Sequence, residues 1–326
     1  MQEDPRAGAA PTAASPIAPV AASGNTGATG LPTAYPGAVR SAEPPPDRAS
    51  VEVAVPRRPG RLPGVRMAGF RQRGPERADI AMVAHPSVTL LIDLSDGDGL
   101  SCRARGRRER GSTVIGLLPG DLRLGGGGNG GTECLQIRLS PVLAPAVFGE
   151  SAALTGAAVP LEDVWGRDAG RVEGELRAAA SWEERFAIAA DALGRRIAAR
   201  PPLDPEVSAA WRLLLAGRGR VRVDALADEV GWSRQHLWSR FRSRIGLTPK
   251  HAARLVRFDH AARLLAAGRP AARAAAASGY TDQAHLHREV RAFTGVTPAA
   301  VAVAPWLAVD DVAWPARRGQ GRTAPT

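Results

Sequence analysis

The sequence predicts an α+β chain, with a small β-barrel or sandwich-like domain carrying helices first and an all-α region after it. Two observations predict this. From about residue 50, short β-prone runs recur between Gly, Pro and Asp punctuation. From Glu206 to about Ala300 the periodicity is helical, and one pattern occurs twice: "GWSRQHLWSRFRSRIGLTP" at 231–249 and "GYTDQAHLHREVRAFTGVTP" at 279–298.

Taken in order, residues 1–49 are Ala, Pro, Gly, Ser and Thr with scarcely a bulky apolar group. Such a segment buries too little surface to offset its ordering entropy, and disorder is expected there. The β-prone runs are "VEVAVP", "VRMAGF", "IAMVAH", "SVTLLIDL", "STVIGLL" and "ECLQIRL". "GGGGNGG" at 125–131 reads as a loop between strands; with no following helix and no Gly-Lys-Ser/Thr it is not expected to cradle phosphates. Helical patterns begin after Pro141. In 181–200, Ser181 and Glu184 have capping-box spacing, and Phe186, Ala189, Ala190, Leu193 and Ile197 make an apolar stripe. Pro201, Pro202 and Pro205 then read as a short stiff linker. The expected division is 50–200, then 206–303, then a tail at 304–326. Within that tail "VAVAPWLAVDDVAWP", 301–315, is too apolar to stay free, so Trp306 and Trp314 are expected to dock.

Charge narrows the function. The net charge is +11, but 42 of the 43 basic residues are arginine in an Ala-, Gly- and Pro-rich chain, so position is more telling than the total. Residues 201–300 hold 16 Arg and Lys against 8 Asp and Glu, a net +8 of the +11. That concentration around the repeat is the footprint expected of a phosphate-binding surface. No run approaches the roughly 18 apolar residues of a membrane span. The start "MQEDPRAGAAPTAASPIAPV" lacks a basic region leading into an apolar one, so no signal peptide is expected. Cys102 and Cys134 lie far apart and fit neither a zinc site nor a disulfide framework; a loop thiol and a strand core residue in a reducing cytoplasm are expected.

The repeat has the form of a helix-turn-helix. In the first copy "VDALADEVG" is a short helix ending on Gly231, and Ser233 caps the next helix. Leu237, Phe241 and Ile245 share its inner face. Gln235, Ser239 and Arg242 point the opposite way with Trp238 beside them, and Arg234 opens the helix. In the second copy "PAARAAAASG" ends on Gly279, Tyr280 packs the turn and Thr281 is the expected cap. Leu286, Val290 and Phe293 form the inner stripe. Gln283, Ala284, Arg288 and Arg291 face outward, flanked by His287. The outer faces are polar or basic and suit a major groove. Between the copies "PKHAARLVRFDHAARLLAA" is one helix with a seam of Leu255, Phe258, Ala262 and Leu265. Its length of roughly 28 Å holds two reading helices about one DNA turn apart.

Over 206–300 the chain resembles the AraC/XylS transcription regulators, through "LADEVGWSRQHLWSRFRSRIGLTP", "RLVRFDHAARLLAAG" and "AAAASGYTDQAHLHREVRAFTGVTP". The "GYTDQ" at 279–283 and the paired Gly-x-Thr-Pro endings are its most specific signals. Ala276 stands where the family usually has isoleucine, and Val290 where it has phenylalanine. The resemblance implies a cytoplasmic regulator with two helix-turn-helix units, 224–245 and 271–294, on promoter DNA. It places base-reading positions on Gln235, Trp238, Ser239, Ala284 and Arg288. It also implies that 50–200 senses a ligand or dimerises, and it admits RNA polymerase, a small-molecule effector and a second copy of the chain as partners. No catalysis and no cofactor are expected.

The rival reading is an enzymatic or ligand-binding β-domain protein whose helices only make protein contacts. For Arg263, Arg269 and Arg273 a solvated face is the expected role. No metal is expected: His285 and His287, two apart on a helix, do not face each other, and His85 is the single histidine of the β region.

Overall fold

The computed structural model describes residues 51–58, 61–72, 78–81, 83–97, 99–104, 107–117, 122–126, 131–200, 203–303 and Trp314. The segments expected to be disordered (1–49) or tail (304–326, Trp314 apart, and so including Trp306) and the linker prolines 201 and 202 lie outside the described residues. All described residues belong to one compact unit.

Among the described residues ten strands come in the order β1 (Val51–Ala54), β2 (Val65–Gln72), β3 (Ala78–Ala81), β4 (Val88–Asp93), β5 (Leu100–Ala104), β6 (Arg107–Arg110), β7 (Thr113–Ile115), β8 (Leu122–Gly126), β9 (Thr132–Leu139) and β10 (Ala158–Pro160). They form two antiparallel sheets, ordered β1-β2-β9-β4-β7-β10 and β3-β8-β5-β6. The register puts Arg66 opposite Arg138, Ala68 opposite Gln136 and Phe70 opposite Cys134. On the other flank of β9, Thr89 faces Arg138 and Leu91 faces Gln136.

The six-stranded sheet is a middle layer. Leu90, Ile92, Leu135, Ile137 and Leu139 turn toward the helices, while Ala68, Phe70, Leu91 and Cys134 turn toward Leu100, Cys102, Leu122 and Leu124 of the second sheet. Both faces of β4 and β9 are therefore covered, which is why "SVTLLIDL" and "ECLQIRL" read as continuous apolar runs. Two details correct the sequence expectations. Gly125 and Gly126 belong to β8, so the glycine segment begins as strand. Cys102 is a buried residue of β5, not a loop thiol. Burial pushes both thiols up to about 12, so neither is a thiolate near neutrality.

The helices are α1 (Ala144–Phe148), α2 (Leu161–Trp165), α3 (Arg167–Ala178), α4 (Trp182–Ala198), α5 (Pro205–Ala216), α6 (Val223–Glu229), α7 (Arg234–Ile245), α8 (Pro249–Ala266), α9 (Ala271–Ser278), α10 (Gln283–Thr294) and α11 (Pro298–Val303). A 3₁₀ turn, Ser151–Leu154, follows α1. Ser181 caps α4 by accepting from Glu184 N at 3.2 Å, while the Glu184 carboxylate accepts from Ala180 N at 2.9 Å. The stripe from Phe186 to Leu193 packs α4 on the sheet. One apolar core then continues through α5 and α8 to Leu286, Val290 and Val301.

Candidate nucleic-acid interface

The first unit is α6, a turn and α7. Gly231 takes φ +69, the left-handed conformation that reverses the chain after α6. Trp232 N donates to Ala227 O at 2.9 Å, and the Ser233 hydroxyl accepts from His236 N at 3.2 Å. Leu237 and Phe241 are fully buried, Ile245 nearly so, and Phe241 lies against Trp211 of α5 with ring centroids 6.2 Å apart.

The second unit repeats this in α9 and α10. Gly279 takes φ +75, and Tyr280 N donates to Ala275 O at 3.0 Å. The cap is one residue later than expected: Asp282, not Thr281, accepts from His285 N, at 2.6 Å. Leu286 and Val290 are fully buried, and Phe293 stacks on Phe258 of α8 at 4.8 Å. Glu289, which no sequence signal singled out, turns inward and accepts from Arg254 of α8 at 3.1 and 2.6 Å.

Every predicted contact residue lies on the exposed side of its helix. On α7 these are Arg234, Gln235, Trp238, Ser239 and Arg242; on α10 they are Gln283, Ala284, His287, Arg288 and Arg291. Trp238 is 47% exposed, a large indole with no core to enter, and the Arg242 guanidinium lies 5.3 Å from its ring centre. On α10 the side chains of Gln283 and His287 approach to 3.4 Å. Arg234, Arg288 and Arg291 make no ion pair among the described residues. Three cations are thus presented to solvent without an internal carboxylate, as binding to phosphate or guanine requires.

The solvated role expected for three arginines holds for Arg269 and Arg273 only. Arg263 pairs with Asp259 at 3.1 Å and donates to the carbonyl of Trp314 at 3.0 Å. The expected docking of Trp314 is seen: the residue is fully buried.

Residues 226–302 match a family model described as a helix-turn-helix domain. They form a helix-turn-helix domain. This domain comprises α7 to α10 and most of α6 and α11. No curated protein matches the chain in sequence. Among solved structures it is similar to ToxT from Vibrio cholerae O395, at 12% identity and a TM-score of 0.44 over 74% of this chain and 99% of that one. It is also similar to the C-terminal domain of AraT, a response regulator from Geobacillus stearothermophilus, at 20% identity and a TM-score of 0.30 over 32% and 90%. The AraC-like transcriptional activator CuxR is similar at 14% identity and a TM-score of 0.23 over 63% and 84%.

Proposed function

We propose that the chain binds promoter DNA with α7 and α10 in two successive major grooves and acts as a cytoplasmic transcription regulator without catalysis. Gln235, Trp238 and Ser239 on α7, with Ala284 and Arg288 on α10, meet base edges. Arg234, Arg242, Gln283, His287 and Arg291 flank them and contact phosphate or the groove wall. Residues 50–200 sense a small molecule or pair two copies of the chain, and RNA polymerase is a further partner of the bound complex. The observation that carries this reading is the coincidence of the two outer faces. Each helix turns its apolar residues onto a common core and presents polar and basic residues at equivalent places.

The 18 residues of α8 between them span roughly 27 Å, a separation that suits two grooves on one side of the duplex. The test is a gel-shift titration of the purified full chain against genomic fragments at several salt concentrations. Tight binding to a small subset of fragments, weakening steeply with salt through counterion release, is expected. Salt-independent binding, or binding to no fragment, removes the reading in favour of helices that contact protein only.

A further inference from the structure

Trp314 lies in the sequence beyond α11, yet its side chain sits in the core between the two sheets, with no solvent exposure. Its ring covers the inner face of β9. The Arg138 guanidinium is 3.9 Å from the ring centre, and that of Arg66, opposite Arg138 on β2, is 5.6 Å away. Its carbonyl is held by Arg263 of α8.

Beside this contact the sheet carries polar atoms that the protein leaves unsatisfied. Gln136 follows the same face one rung along β9. It is fully buried, and neither its amide nitrogen nor its amide oxygen has a partner. His85 is buried as well. Its Nε2 lies 3.1 Å from the Thr89 hydroxyl, and its Nδ1 has no partner. Thr89 stands opposite Arg138, so these groups share one patch. Native cores leave few such atoms orphaned, and three together call for an explanation. The patch is also cationic: burial, then the charges of Arg138, Arg263 and Arg66, hold His85 well below the ordinary histidine range.

We propose that this patch is a binding site for a small aromatic carboxylate and that Trp314 is its intramolecular occupant. The ligand's ring takes the place of the indole on Arg138, a cation–π contact. Its carboxylate accepts from Gln136 Nε2 and from His85 Nδ1–H, the tautomer that a hydroxyl proton from Thr89 to Nε2 selects. Displacing Trp314 releases the carbonyl that Arg263 holds, so occupancy is felt on the helix joining the two reading units. The inference rests on the reading of residues 50–200 as a sensing domain.

The probe is indole-3-acetate, which joins the ring of Trp314 to a carboxylate. It is titrated calorimetrically into the full chain and into Trp314→Ala. Removing an internal competitor raises apparent affinity by the inverse of the competent fraction, so Trp314→Ala should bind about tenfold more tightly or better. Adding Gln136→Leu to that variant should abolish the gain, and indole alone should bind far more weakly. Trp314→Phe, which keeps a ring in the core, should fall between wild type and Trp314→Ala, and carries the test should Trp314→Ala not fold. Equal affinity of wild type and the Trp314 variants, insensitivity to Gln136→Leu, or equal binding of indole overturns the proposal. Promoter affinity measured on the same samples separates the two readings. Ligand binding that leaves DNA affinity unchanged keeps the site and removes the sensing role.

Discussion

Glu289 of α10 is joined to Arg254 of α8 by two hydrogen bonds, and both side chains are largely buried, at 11% and 16% exposure. The pair fixes α10 to α8, the helix between the two helix-turn-helix units. Breaking such a pair on one side strands a buried charge, whereas replacing both members by apolar groups is often neutral. Arg254→Ala should therefore destabilise the chain by about 3–5 kcal/mol, and Arg254→Met with Glu289→Leu should recover most of that loss. Urea denaturation of the two variants checks this.

Gly246 ends α7 in the left-handed conformation, φ +85, and presses against the 3₁₀ turn that follows α1. A Cβ there would lie 2.1 Å from Thr155 Oγ1 and 2.7 Å from Ala152 O. Backbone cannot move aside as a side-chain end can, so Gly246→Ala combines strain with a clash. A loss of about 1–3 kcal/mol is expected. Because the clash tilts α7, DNA affinity should fall while Gly295→Ala, whose Cβ would meet nothing, leaves the first unit intact. Paired denaturation and gel-shift measurements check both statements.

The cap of α10 separates two neighbouring hydroxyl or carboxyl residues. Asp282→Ala should cost about 0.5–2 kcal/mol, the usual value for losing an N-cap. Thr281→Ala, one residue earlier and making no cap bond, should cost much less. Thermal melts of the two single variants distinguish them.

Acid should destabilise the fold through His85. Its folded pKa lies well below 6.5, mainly through burial and then through Arg138, Arg263 and Arg66, so the native state keeps it neutral. The unfolded chain binds the extra proton below its own pKa. Stability is thus fully present above about pH 6.5 and falls as pH drops below it, by about 1.4 kcal/mol per pH unit for one such histidine. His251 and His260, each lowered chiefly by burial, act in the same direction. Denaturation at pH 5 to 8 should show this slope, and His85→Gln should reduce it.

Much of the candidate interface was legible because helix ends and helix faces are local. Gly231, Ser233 and Gly279 announce turns through backbone conformation, and the three- and four-residue spacing of Leu237, Phe241 and Ile245 fixes which side faces out. The one-residue error at Thr281 arose because Thr281 and Asp282 both have capping chemistry, and only packing decides between them. Pairs distant in sequence gave no signal: nothing near Glu289 points to Arg254, and nothing near Arg263 points to Trp314. The β region was less legible still. β6 lies at a sheet edge, where "RRER" is a common defence against further pairing and reads as a loop. The neighbours β2, β9 and β4 are brought together across long stretches of chain, which no local pattern encodes.

The central claim is that α7 and α10 read two adjacent major grooves, and binding selection on randomised duplex DNA tests it most directly. The wild-type chain should recover a motif in two parts about 10 base pairs apart. Arg288→Ala should relax one base position in one part and cost about 1–3 kcal/mol, and Gln235→Ala should relax one position in the other. Arg291→Ala should weaken binding to all sequences alike and flatten the salt slope by about one unit. A motif with a single part, or a preference that survives Arg288→Ala but changes with Arg291→Ala, contradicts the assignment.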